Sequence, residues 1–245
     1  MAPHCPIPRV MAKVRASSAR FDERVHRPMK STPDRTAALD LIPVSRETER
    51  RLAIFVDLLA RWRKITNLIS AGSFEEVWRR HIADSAQLLA LAPAAKRWVD
   101  LGSGAGFPGM VLAIQLADEP GALVHLIESD QRKCAFLREV ARATGAAAQI
   151  HAARIESIAP ETLMPVDAVT ARAFAPLPAL LDFAKVWLAR GAVGVFPRGK
   201  STEAQLSDYS DATDFRFETI ASKIDPRAAI LIVRGGESAQ QFGGA

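Results

Sequence analysis

The chain has 245 residues, 49% hydrophobic and 24% charged, a composition that excludes disordered and collagen-like proteins and suits one large domain, or one domain with an appendage. Its net charge of +5 comes from 32 Lys+Arg against 27 Asp+Glu, but seven of the bases and only two of the acids fall in residues 1–30; from Ser31 onward the charges balance, so the total is no argument for nucleic-acid binding. Two cysteines far apart, Cys5 and Cys134, exclude a disulfide framework and a CxxC metal pair.

No apolar run approaches the roughly 20 residues of a membrane span, and the N-terminus has no apolar core of a secretory signal. A reducing cytoplasm is expected, with no membrane and no metal. Residues 1–44 are rich in Pro, Arg and Ser without periodicity and read as a disordered basic tail, with later starts on offer at Met11 and Met29. Residues 45–95 read as a helical extension. Ser45, followed by Glu49, caps a helix over 46–64 whose apolar face carries Leu52, Phe55, Val56, Leu59 and Trp62. A second helix starts after Ser73, with Phe74, Val77, His81, Ile82 and Leu88 near one face, and Pro93 ends it.

From residue 96 to 236 short apolar strands alternate with helices. Strands are predicted at 97–101, 122–128, 147–153, 166–172 and 192–197, and helices at 108–117, 130–145 and 177–191. Two last strands, 214–222 and 228–235, have no helix between them and predict an antiparallel hairpin at one edge. The pattern is that of an α/β fold with a mostly parallel sheet, followed by a short tail at 237–245.

The sharpest signal is Asp100-Leu-Gly102-Ser-Gly104-Ala-Gly106-Phe107-Pro108-Gly109, between the first strand and its helix, at the sheet edge where open α/β folds bind ligands. Gly104 to Gly109 spells GxGxxG, so a dinucleotide and an NAD-dependent oxidoreductase are one reading. Asp100 opposes it, because its charge repels a pyrophosphate and suits a cationic amine or sulfonium. Pro108 opposes it too, by removing an N–H from the helix start. The other reading is the D-x-G-x-G-x-G loop of S-adenosylmethionine-dependent methyltransferases. Glu128 ends the second strand, where an acid can accept from both ribose hydroxyls. Arg154-Ile155-Glu156 follows the third strand and should face the adenine.

Six segments carry a closer resemblance: NLIS at 67–70, RRHIADS at 79–85, VDLGSGAGFPG at 99–109, RKCAFL at 132–137, RIES at 154–157 and TARAFAPL at 170–177. Over about residues 48–235 the chain resembles the RsmG (GidB) family of small-subunit ribosomal RNA guanine-N7 methyltransferases. The resemblance implies a Rossmann-like class I methyltransferase domain with a seven-stranded sheet and an N-terminal helical extension. It implies S-adenosyl-L-methionine as cofactor and, as substrate, one guanine N7 in the decoding-region 530 loop of 16S ribosomal RNA, met either as bare rRNA or in the small ribosomal subunit. Carried over by motif, Gly102 and Phe107 lie in the cofactor loop, Ile155 and Glu156 at the adenine, Glu128 at the ribose, and Arg172 at the cofactor and the reaction cleft. Asn67, His81 and Asp84 match motif positions near that cleft. Where the family commonly shows Leu/Pro-Lys-Gly after the fifth strand, this chain reads Pro197-Arg198-Gly199-Lys200.

Guanine N7 has an in-plane lone pair and no proton, so attack on a sulfonium methyl needs no general base there. In-line transfer without covalent catalysis is expected, with Arg172 as an electrostatic and positioning group and Cys134 as a packing residue. RNA contacts must come from local patches. The candidates are Arg198, Lys200, Arg80, His81, Arg132 and Lys133, together with Arg61, Arg63 and Lys64. Phe174 is assigned to packing ahead of base stacking, and a monomer is expected. Readings that share the loop but not the substrate are a methyltransferase of another RNA or of small molecules, and a non-catalytic module of the same fold.

Overall fold

A computed structural model describes residues 32–199 and 215–235. Helices α1 (Pro33–Leu41), α2 (Arg46–Trp62) and α3 (Ala71–Glu75) lead into a π-helical turn (Trp78–Ala83), which runs on through α4 (Asp84–Ala86) into a 3-10 turn (Gln87–Leu91). Then come β1 (Arg97–Leu101), α5 (Gly109–Gln115), β2 (Leu123–Glu128), α6 (Gln131–Thr144), β3 (Ala148–Ala152), β4 (Ala168–Thr170), α7 (Leu177–Leu188), β5 (Val193–Gly199), β6 (Phe215–Ala221) and β7 (Ala228–Gly235). The strands form one sheet in the order β3-β2-β1-β4-β5-β7-β6, parallel except for β7, which runs antiparallel to both neighbours. The expected late hairpin is therefore present, and its second strand takes the inner place.

Local chemistry explains the elements. The Ser45 side chain accepts from Thr48 N to start α2. Asp130 accepts from the Arg132 and Lys133 amides to start α6, and Gly145 ends it in the left-handed region at φ 64°. The second extension helix differs from its expected form. It opens at Ser70, not after Ser73, breaks near Glu76 and continues as the π-helical turn.

The segment 32–44 is not tail-like: Thr32 caps α1, and Ala38 is fully buried. The rest of the expected tail, residues 1–31, lies outside the described residues, as do residues 236–245. α1 holds its place through partners distant in sequence. Asp34 accepts from the Trp78 and Arg79 amides at 2.9 and 3.3 Å, and Arg35 pairs with Glu49 at 2.8 Å.

Pleating sorts each strand between two apolar layers. Trp98, Val124, Leu126 and Ile232 pack with α2, α5 and α6, whereas Val99, Leu101, Ile127 and Val169 pack with α7. The extension shares the first layer: Leu52, Phe55 and Leu59 of α2 join the same cluster as the sheet, and Phe55 meets Phe107 of the glycine loop at 5.1 Å between ring centres. The sheet's carboxyl edge and the extension thus meet at that loop.

Candidate functional site

A cleft of about 420 Å³ opens at the carboxyl ends of β1 to β4, the size of a small-molecule site. Gly102 and Gly104 line it after β1, Glu128 and Ser129 after β2, Arg154, Ile155 and Glu156 after β3, and Arg172, Ala173 and Phe174 after β4. Lys133, from the first turn of α6, joins them. Of the nine residues expected at a cofactor, the fold thus brings six to one cleft: Gly102, Gly104, Glu128, Ile155, Glu156 and Arg172. Lys133, expected at RNA, lies among them.

Glu128 organises the floor. Its two carboxylate oxygens accept from Gly104 N and Asp130 N, both at 2.8 Å, tying the glycine loop to the end of β2. Each oxygen keeps a lone pair for a further donor such as a ribose hydroxyl. Gly104 sits at φ 55°, and a Cβ there would meet nothing closer than Gly102 O at 3.8 Å. Its glycine therefore serves the left-handed backbone, not packing.

The other three, Asp100, Gly106 and Phe107, stand behind the loop and do not line the cleft. Pleating puts Asp100 on the face of Trp98, opposite Val99 and Leu101, so it points beneath the start of α5. There it is fully buried, and its Oδ2 accepts from Gly109 N at 3.1 Å. Gly106 is packed on Phe55, Met110 and Leu137. The Phe107 ring, 4% exposed, lies in a stack: His81 is 4.8 Å from it, centre to centre, and the Arg172 guanidinium is 5.2 Å from its centre. Phe107 reaches the site through Arg172.

Asp100 Oδ1 is buried without a hydrogen-bond partner among the described residues. Burial raises the Asp100 pKa from 3.8 to about 6. This acid under the loop, with one oxygen left over, and the Arg172 cation beside it match an ammonium and a carboxylate respectively, the two ends of an amino acid.

The amides at the start of α5 decide against a pyrophosphate. Gly106 N donates to Ser103 O, Gly109 N to Asp100 and Met110 N to Gly106 O, and Pro108 has no N–H. A dinucleotide's phosphates need such donors free. The literal GxGxxG match thus lacks the hydrogen-bonding capacity that gives the motif its meaning.

Arg172 joins the cleft to the extension. It stands 3.7 Å from Asp84 and donates to Arg80 O at 3.4 Å. His81 bonds Ser73 Oγ through Nε2, while Nδ1 is buried without a partner among the described residues. Burial, then the Arg172 and Arg80 charges, lower its pKa from 6.5 to about 3, so His81 is a neutral ring at physiological pH. As a neutral ring it brings no positive charge to an RNA phosphate.

Arg80 and Arg132 are exposed, and Arg80 pairs with Glu76 at 3.4 Å. Arg198 is half-buried and donates to Ala175 O at 3.3 Å, in the loop that follows Arg172. Lys200 lies outside the described residues. Asn67 is exposed, and Phe174 both lines the cleft and meets Phe183 edge-on at 5.5 Å. The cleft residues outside the sequence-based expectation, Ile127, Ser129, Ala153 and Ala173, each stand one step from a strand end or a named site residue. Position relative to the strand ends was the signal for them.

A family model described as rRNA small subunit methyltransferase G matches residues 48–227. A curated relative named ribosomal RNA small subunit methyltransferase G, from Methylorubrum extorquens, is 46% identical over 203 residues, covering 83% of this chain and 96% of its own. One of the same name from Bradyrhizobium is 53% identical over 175 residues, covering 71% and 79%. Among solved structures, cofactor-bound Rv0187 from MTB aligns with a TM-score of 0.60 at 18% identity over 84% of this chain and 97% of that one. A methyltransferase from Geobacter sulfurreducens aligns at 0.52 and 15%, over 81% and 96%. These two likenesses concern the fold alone.

Proposed function

The chain belongs to the rRNA small subunit methyltransferase G family, and from that premise we infer that the cleft at the carboxyl ends of β1 to β4 is where methyl donor and target base meet. Its fold is the Rossmann-like class I methyltransferase fold with an N-terminal helical extension. It is an S-adenosylmethionine-dependent methyltransferase of 16S ribosomal RNA, with guanine N7 as the accepting atom. The observation that carries the cofactor reading is the arrangement of acids and amides around the glycine loop. The α5 amides are consumed internally, and a buried carboxylate with one oxygen unpartnered among the described residues stands where a cation would be welcome.

In this reading Glu128 accepts from the ribose hydroxyls, Ile155 and Glu156 border the adenine, and Asp100 acts on the amino-acid end through its charge. Bound S-adenosylmethionine supplies a methyl group made electrophilic by its sulfonium. The protein's part is to hold two reactants in line, which is worth up to about 7–11 kcal/mol in favourable cases. N7 has no proton to lose, so no side chain needs to act as a base at that atom. Cys134 is unsuited to covalent catalysis. It is fully buried, its thiol donates to Glu128 O at 3.1 Å, and burial raises its pKa.

Arg172 positions the substrate and balances charge at the cleft mouth. Arg198, Lys200, Arg132 and Arg80 guide the RNA backbone, each through a local charge on a body without net excess. A monomer working in the cytoplasm, where small subunits are assembled, fits this reading.

The test is equilibrium binding followed by transfer. Purified protein should bind S-adenosylmethionine, ignore NAD at the same concentration, and pass a labelled methyl to bare 16S rRNA or to assembled small subunits. Binding of NAD with no transfer to either RNA form would contradict the reading.

A further inference from the structure

One carboxylate stands next to the cleft without lining it. Asp84 opens α4, directly after the π-helical turn. Its Oδ1 accepts from Gln87 Nε2 at 3.0 Å. Gln87 is itself fixed by the β6–β7 connection: Nε2 donates to Ser222 Oγ at 3.1 Å, and Oε1 accepts from Lys223 N at 3.0 Å. The acid is therefore held from two sides of the molecule. Its Oδ2 faces Arg172 Nη1 at 3.7 Å, beyond a good hydrogen bond and so with lone pairs to spare. The Arg172 and Asp84 side chains remain 22% and 18% exposed; Arg172 lines the cleft, and Asp84 stands beside its guanidinium.

Such a pair matches one base. Guanine alone carries two adjacent donors on its Watson–Crick edge, N1–H and the 2-amino group, which a carboxylate can accept side by side. Guanine O6, next to N7, is an acceptor that suits a guanidinium. Adenine presents an N1 lone pair to the same carboxylate and is repelled.

We propose that Asp84 is the residue that selects guanine, accepting from N1–H and the 2-amino group while Arg172 supplies positive charge on the O6 side. The proposal rests on the rRNA methyltransferase reading and adds to it the device that recognises the base. It also accounts for an acid kept at a site that must attract a polyanion.

The experiment uses full-length protein and an rRNA substrate in which the target guanine is replaced by inosine, identical but for the missing 2-amino group. Wild-type protein should methylate the inosine substrate with kcat/KM lower by about tenfold. Asp84→Asn should lose about tenfold on guanine, bring the guanine-to-inosine ratio close to one, and keep its affinity for S-adenosylmethionine. An unchanged ratio in the variant would overturn the proposal and leave Asp84 as a support for Arg172. A wild-type enzyme indifferent to the 2-amino group would overturn it as well, whether or not the variant folds. Absence of transfer to the guanine substrate would instead strike at the rRNA reading itself, and the proposal would fall with it.

Discussion

Asp100 lies under Gly109 with one carboxylate oxygen unpartnered and a pKa raised by burial from 3.8 to about 6. The folded state therefore favours the protonated acid. At pH 7 the ionised form subtracts from stability, and protonation as pH falls from about 6 towards 3.8 relieves that cost. A cationic ligand reverses the preference, so affinity for S-adenosylmethionine should weaken as pH drops through about 6. Asp100→Asn should reduce affinity at pH 7.5 by about tenfold, through the loss of a charge behind the loop that makes no contact, with no loss of stability. Titration calorimetry beside urea melts reads both quantities; unchanged affinity would make Asp100 a clamp for α5 only. The aspartate itself was evident from the glycine loop. Its orientation follows from the alternation of Trp98, Val99, Asp100 and Leu101, which the sequence also contains. Ala173 was not legible: it takes φ 52° beside Arg172, a left-handed conformation that an alanine does not advertise.

At the scale of elements, the strands and the long helices were readable because local signals agree. Ser45, Asp130 and Gly145 mark ends that apolar periodicity already predicts. α1 escapes the sequence reading because it is short and only Ala38 of its residues is buried; its partners lie 14 to 45 residues away. Asp34 supplies both oxygens to the Trp78 and Arg79 amides, which the break near Glu76 leaves without helical carbonyls. It is an N-cap lent by a separate helix to the π-helical turn that carries Arg80 and His81, and π turns recur at functional sites. Asp34→Ala should cost about 1–2 kcal/mol of stability, with Asp34→Asn losing less. Denaturant unfolding measures this, and a melt unchanged by Asp34→Ala would show that α1 is not holding the turn.

Across the whole molecule, three buried ionisable groups pull stability in opposite directions. Burial lowers the pKa of His81 to about 3 and of His125 to about 4, from 6.5. Both are neutral in the folded protein, so the unfolded chain takes up protons first as pH falls below 6.5 and stability is lost. Asp100 gives back part of that loss below pH 6. Two histidines against one aspartate leave a net loss of stability between pH 7 and pH 5. Urea unfolding at the two pH values tests it, and equal or greater stability at pH 5 would contradict it.

The same fold brings residues from four strand ends and the extension to one rim, the convergence that sequence motifs alone left spread over a hundred positions. At that rim one methyl group passes to guanine N7. N7-methylguanosine is cut by borohydride reduction followed by aniline. 16S rRNA lacking the modification, treated with this protein and S-adenosylmethionine, should break at a single guanine, and not when either is omitted. A methylated RNA that resists cleavage, or one cut at many guanines, would contradict the account.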